Sequence, residues 1–336
     1  MSRSRLRAAT ALALLLTLDP AGAEPAETRI DAQGIGQFRI GSAETRFGAL
    51  DYLGGFSYRS NDRRLEGVSA IRMQEGGRRF LAVTDTGYWF RGAIRRDTSG
   101  RPVGMDDARI DPILDASGAP PRRKGEADAE GLALDGDSAL VSFERDARIE
   151  RFDAARPGRP TAVPLPIPKR ELRSNGGLET IAVSPKDSPL EGAAIVVAEQ
   201  SIDGAGHLLA AILGRGEAGQ FTVRKDKVWS ATDGAFLPGG DFLLLERRYE
   251  GFGRIGMRIR RIAAAAIRPG ALVDGPVIME ADFGNEIDNM EGLDVWTNER
   301  GETILSLVSD DNGSFFQRNL YLEFRLREGA EAGRTP

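Results

Sequence analysis

The sequence predicts an all-β fold, a single β-propeller, on three observations: a motif repeated five times, a period near fifty residues, and an excess of glycine between short apolar runs. Each copy opens on an acid, runs into an apolar strand, turns, and comes back as a second strand ending in another acid. The head acids Glu66, Glu130, Glu179, Asp233 and Glu291 stand 64, 49, 54 and 58 residues apart. The 41 glycines in 336 residues fall largely between strand-like runs and are well above the roughly 7% usual in proteins.

In chain order, residues 1–23 read as a secretory signal. Arg3, Arg5 and Arg7 precede an apolar run over 8–18, and Ala21-Gly22-Ala23 offers small residues for cleavage after Ala23. A periplasmic or secreted protein is the expectation. The apolar run is too short to span a bilayer, and no later run comes close. Residues 24–46 form a lead-in with a strand expected over 37–40, residues 47–327 form the propeller domain, and 328–336 are expected to be a disordered tail.

The first copy, Glu66-Gly67-Val68 with a return strand over 80–85, is followed by a further extended run over 88–94. The second pairs Glu130-Gly131-Leu132 with 139–144 and then 148–152, and the third pairs Glu179-Thr180-Ile181 with 194–199, 208–213 and 221–229. A degenerate fourth reads Asp233-Gly234-Ala235 with 242–246, 257–262 and 277–282. The fifth, Glu291-Gly292-Leu293 with 304–310 and 319–326, has one strand too few for a four-stranded blade. The N-terminal strand over 50–57 is expected to supply it and close the ring. Five motif-bearing blades are counted, and the length leaves room for a sixth. Residues 111–127 and 247–254 read as long loops, and 263–267 as a short helix.

The formal charge of −5 and pI near 5.3 give no basic field for nucleic acid. With no cysteine there is neither disulfide nor thiol chemistry. His207 is the single histidine, which argues against histidine-rich zinc sites and a Ser-His-Asp triad. Trp89, Trp229 and Trp296 fall in strand runs, where core packing is the default, and Tyr88 with Trp89 is the alternative of a rim platform. The chain is expected to act as a monomer on a small molecule.

In a propeller the first strand of each blade lines the channel, so the five head acids would form a ring. Two like charges 4 Å apart repel by about 4 kcal/mol at an effective dielectric near 20. Such a ring needs a cation, some proton uptake, or interleaved arginines and lysines, and hard oxygen ligands in this number suit Ca²⁺ best. The second set, Asp85, Glu144, Glu199, Glu246 and Asp310, closes the return strands. Glu66, Glu130, Glu179, Asp233 and Glu291, with Asp85 and Asp310, are the expected metal ligands. Glu130, Glu179 and Glu291 are the expected catalytic groups, because a carboxylate is the available base where histidine is scarce. Arg64, Lys124, Arg145, Arg247, Asn175 and Asn289 would face a substrate anion. Acid-glycine pairs also form ordinary turns, so calcium-free turn chemistry stands beside this reading.

The set Thr84-Asp85-Thr86-Gly87, Ser142-Phe143-Glu144-Arg145, Asn175-Gly176-Gly177-Leu178-Glu179 and Asn289-Met290-Glu291-Gly292-Leu293 resembles the phytase-like family of exported bacterial proteins, described as having esterase-like activity. The resemblance runs from about 47 to 326. It implies a propeller related to the alkaline phytases, in which Ca²⁺ at the channel mouth holds a phosphorylated substrate and activates water. The expected function is an exported, metal-dependent ester hydrolase, most plausibly of phosphate esters. A lactonase-type propeller and a non-catalytic calcium-stabilised binding module are the alternatives.

Overall fold

The computed structural model describes residues 27–214, 217–251 and 253–327, apart from the side chains of 124 and 125. The expected signal over 1–23 and the tail over 328–336 lie outside the described residues. Five sheets stand around one axis, so the propeller has five blades and not six. The first blade comprises Val68–Gln74, Arg79–Thr84, Tyr88–Arg96 and Pro102–Pro112. The second comprises Ala129–Asp135, Ser138–Phe143, Arg148–Asp153 and Thr161–Val163. The third runs through Leu178–Val183, Ala194–Ile202, Leu208–Leu213 and Gly219–Val223, with Leu272–Val273 added in parallel at its edge. The fourth is Ser230–Phe236, Phe242–Tyr249, Ile255–Ile262 and Val277–Asp282.

The fifth blade takes Asn289–Thr297, Thr303–Asp310 and Asn319–Leu326 from the C-terminal end and completes itself from the N-terminal end. Leu50–Arg59 pairs antiparallel with Asn319–Leu326, from Leu50 opposite Leu326 to Tyr58 opposite Asn319, which bears out the expected closure. The lead-in strand forms at Asp31–Ile35 rather than over 37–40 and pairs with the far edge of Leu50–Arg59. Residues 37–40 give one bridge, Arg39 to Asn285, because Phe38 turns inward as an anchor, edge-on to Phe47 and Phe324 at 4.8 and 5.0 Å. The expected helix over 263–267 is only a 3-10 turn, Ala264–Ala266. The fourth blade's second strand extends to Tyr249 and shortens the loop expected from 247.

Each blade is apolar on both faces because it is packed between two others. Five buried apolar clusters fill the five gaps between neighbouring blades. Trp89 of the first blade, 1% exposed, meets Phe152 of the second edge-on at 5.2 Å, so it is core and no rim platform. Burial of such surface, worth about 25 cal/mol per Å² removed from water, is what holds blades that share few backbone bonds.

The axis is closed below its mouth. Arg72, three residues into the first inner strand past Ser69, lies about 10 Å down by strand rise. Its guanidinium makes two bonds to Asp233 of the fourth blade, 2.8 and 2.9 Å, and donates to the carbonyls of Leu293 and Ile181 at 2.9 and 3.1 Å. Asp233 also accepts from the Leu293 amide at 3.0 Å, and Asp294 accepts from the Met73 amide at 2.6 Å. One side chain thus ties four inner strands together across the axis below the mouth.

Candidate active site at the channel mouth

Every inner strand carries a β-bulge within its first three residues, and the bulged residue is aimed by it. The pairing skips Ser69, Glu130, Glu179, Thr232 and Glu291 in the five blades. Opposite the bulge, the return strand leads into Asp85, Glu144, Glu199, Arg247 and Asp310. The true ring positions are therefore 69, 130, 179, 232 and 291, with 85, 144, 199, 247 and 310 around them.

Two of the expected ring acids are displaced by this register. Glu66 lies three residues ahead of the first bulge, on the rim, with its side chain 45% exposed and Arg63 as an ion-pair partner at 4.0 Å. Asp233 lies one residue past the fourth bulge. A one-residue step in a strand reverses the side chain, so its carboxylate points down the channel to Arg72 and away from the mouth. Glu246 likewise misses the ring position and is buried between Arg258 and Arg260, at 2.7 and 2.8 Å.

The remaining acids converge. One oxygen each from Asp128, Glu130 and Glu144 lies within 4.8 Å of the others, and the same holds for Glu144, Glu179 and Glu199. Glu144 belongs to both groups. Its Oε1 accepts from the amides of Gly177 at 3.1 Å and of Gly176, at the loop that leads into the third inner strand. Asp310 is held in the same manner, accepting from the Gly67 amide at 3.1 Å and from the Asn312 amide at 2.8 Å. Gly67 adopts φ +78°, and a Cβ there would strike the Asp85 carboxylate at 1.9 Å, so the first motif's glycine is required by the acid above it.

Cations answer part of this charge. Arg247 bonds Glu199 at 3.2 Å and also Glu291 and Asn289, whose amide donates to Glu291 at 2.6 Å. Arg145 reaches Asp128 at 3.1 Å and is half exposed. Arg64 is engaged by Asp62 at 2.5 Å on the rim, and Asn175 is exposed on the loop before the third inner strand. Lys124 opens the one-turn helix Lys124–Ala127 on the loop before the second blade. Lys225, which the sequence offers no motif to mark, donates to the Trp229 carbonyl at 2.6 Å. Burial holds its pKa below the usual lysine range, against the pull of Glu199.

Burial, followed by the charges of Asp85 and Asp128, raises Glu130 well above the ordinary carboxylate range. Burial and the Glu130 charge do the same for Glu179. Burial moves Glu144 up, against the two glycine amides that favour its anion. Glu291 is pushed up to about 8 by burial in spite of Arg247, and Asp310 to about 7 by burial in spite of the Asn312 amide. These shifts share one direction, towards the protonated form, so a cation bound at the mouth would favour release of protons from it. All the donors are hard oxygens, the set that fits Ca²⁺ or Mg²⁺ and not a soft metal.

A five-bladed propeller with a plugged channel and an oxygen-rich mouth is the class of protein that fold and site define. The chain belongs to the phytase-like family, described as esterase-like activity of phytase, which it matches over residues 63–313. No curated protein matches the chain. Among solved structures it is similar to a proposed oxidoreductase (glucose dehydrogenase) from Thermus thermophilus, at 13% identity over 88% of this chain and 99% of the other. The TM-score is 0.35, a likeness too distant to carry any argument about activity.

Proposed function

We propose that the protein is an exported, calcium-dependent hydrolase of phosphate esters, working as a monomer at the channel mouth. The observation that carries this reading is the pair of carboxylate triads sharing Glu144. Asp128, Glu130 and Glu144 would hold one Ca²⁺, and Glu144, Glu179 and Glu199 a second, with Asp85 and Asp310 at the edge. Bound there, the metal would supply positive charge to the ester oxygens and lower the pKa of water.

The chain's own groups divide the rest. Glu291, oriented by Asn289 and Arg247, would accept a proton at Oε2 once it is ionised, and with its pKa pushed up to about 8 its action as a base would grow as the pH rises towards that value. The plug of Arg72 and Asp233 confines substrate to one side. Arg145, Arg64 and Asn175 on the rim would meet the anionic part of the substrate. The family membership supports ester chemistry, and the signal-like segment over 1–23 supports export.

A lactonase reading is favoured by one observation: Arg247, Arg145 and Arg64 each already face a carboxylate, so the mouth offers less positive charge than a phosphate binder needs. The test is to purify the mature protein without chelator, measure bound metal, and assay p-nitrophenyl phosphate, phytate, acyl esters and lactones with calcium or EDTA. Stoichiometric calcium with EDTA-sensitive phosphate release is expected. Turnover of lactones alone would select the second reading, and calcium without any turnover would leave a binding module.

A further inference from the structure

The fourth blade departs from the repeat at both ring positions, from three blades at the inner one, where the first blade also carries a hydroxyl, Ser69, and from all four others at the outer one. Thr232 stands where three blades place glutamate, and Arg247 stands where Asp85, Glu144, Glu199 and Asp310 stand in the rest. A guanidinium therefore occupies a corner of the mouth that the repeat would fill with a carboxylate. It is 28% exposed and lodged between Glu199 of the third blade, 6% exposed, and Glu291 of the fifth, 13% exposed. These two acids and the Asn289 carbonyl oxygen surround it as oxygen ligands surround a metal.

We propose that Arg247 is a built-in cation: it fills the place between Glu199 and Glu291 that would otherwise take a further divalent ion, and confines metal to the side of the mouth built by the second and third blades. This inference rests on the metal-binding reading above. An arginine suits the task because it is charged at every working pH and its planar fork serves two carboxylates at once. Being covalently attached, it stays when chelator or low calcium strips the mouth.

Two consequences follow from the shared ligand. Glu199 serves both Arg247 and the triad with Glu144 and Glu179, so Arg247 competes with metal there and leaves the triad of Asp128, Glu130 and Glu144 untouched. The native mouth should then show one tight calcium and one weaker. Glu291 and Asn289 stay free of metal, which keeps the Glu291 carboxylate available for a proton.

The test is calcium titration calorimetry with elemental analysis on metal-stripped native protein, Arg247→Glu, Arg247→Gln and Arg247→Lys, each first shown to be folded by its melting transition. Restoring the acid in Arg247→Glu should add one bound calcium. Arg247→Gln should tighten the weaker native site about tenfold or more, and Arg247→Lys should bind as native protein does. Unchanged number and affinities in both Arg247→Glu and Arg247→Gln would overturn the inference, and if Arg247→Glu does not fold, Arg247→Gln decides alone. If native protein binds no calcium but Arg247→Glu binds one, the built-in cation stands while the metal reading of the native mouth falls. If neither binds, both fall.

Discussion

Glu144 is the side chain on which the two carboxylate triads depend. It is fixed from behind by the amides of Gly176 and Gly177, so its free lone pairs point into the mouth between Glu130 and Glu179. Glu144→Gln keeps a carbonyl oxygen for those amides and removes one of the crowded charges. It is expected to abolish both calcium sites while melting, in metal-free buffer at pH 8, no lower than the native protein. Glu130→Gln is expected to lose one calcium and retain the other. Calorimetry and thermal melts check the pair, and retention of both ions by Glu144→Gln would remove it from the site. Glu130, Glu179, Glu291, Glu144 and Glu199 are all legible as repeated acids. The role of Arg72 is not, because an isolated cation carries no motif and its partners lie on strands far away in sequence.

At the scale of the element, the register of the bulge decides which repeated acid reaches the mouth. The motif marks the start of each inner strand, but the skipped residue is set by how the blade's second strand pairs with it. That slip of three residues in the first blade and one in the fourth is why Glu66 and Asp233 leave the ring. Asp233 then does something the repeat gives no hint of, pairing with Arg72 across the axis. Breaking a buried pair by removing one partner typically costs about 3–5 kcal/mol, so Arg72→Met should lose stability on that order in urea unfolding. Replacing both, as Arg72→Met with Asp233→Leu, should recover much of it. Equal losses for the single and double variants would mean that the pair is not coupled. Ring closure offers a second test. Ser57 sits mid-strand between Gln33 and Leu320, so Ser57→Pro introduces a ring into a central strand and removes a backbone donor. A loss of about 3 kcal/mol is expected, and an unchanged unfolding midpoint would argue that the N-terminal strand does not close the ring in solution.

For the whole molecule, the mouth links stability to both pH and calcium. Glu291 and Asp310 hold protons up to about pH 8 and about pH 7, and buried Asp294 beside the plug to about pH 6, whereas in the unfolded chain all three ionise near pH 4. Between pH 5 and 8 the native state thus binds more protons than the unfolded state, and the slope of unfolding free energy with pH is negative. The stability these groups contribute is complete below pH 4 and is lost as the pH rises through their folded values. Metal-free protein is therefore expected to melt several degrees lower at pH 8 than at pH 5. Calcium reverses the trend, because a cation binds the ionised mouth and stabilises the folded state in proportion to its occupancy. In millimolar calcium the gain in melting temperature over the EDTA sample should be small at pH 5 and grow steadily to pH 8. A scan of melting temperature against pH, with and without calcium, reads both trends. A metal-free protein that grows more stable from pH 5 to 8 would mean that the carboxylates are already ionised and paired, and that the mouth has no need of a metal.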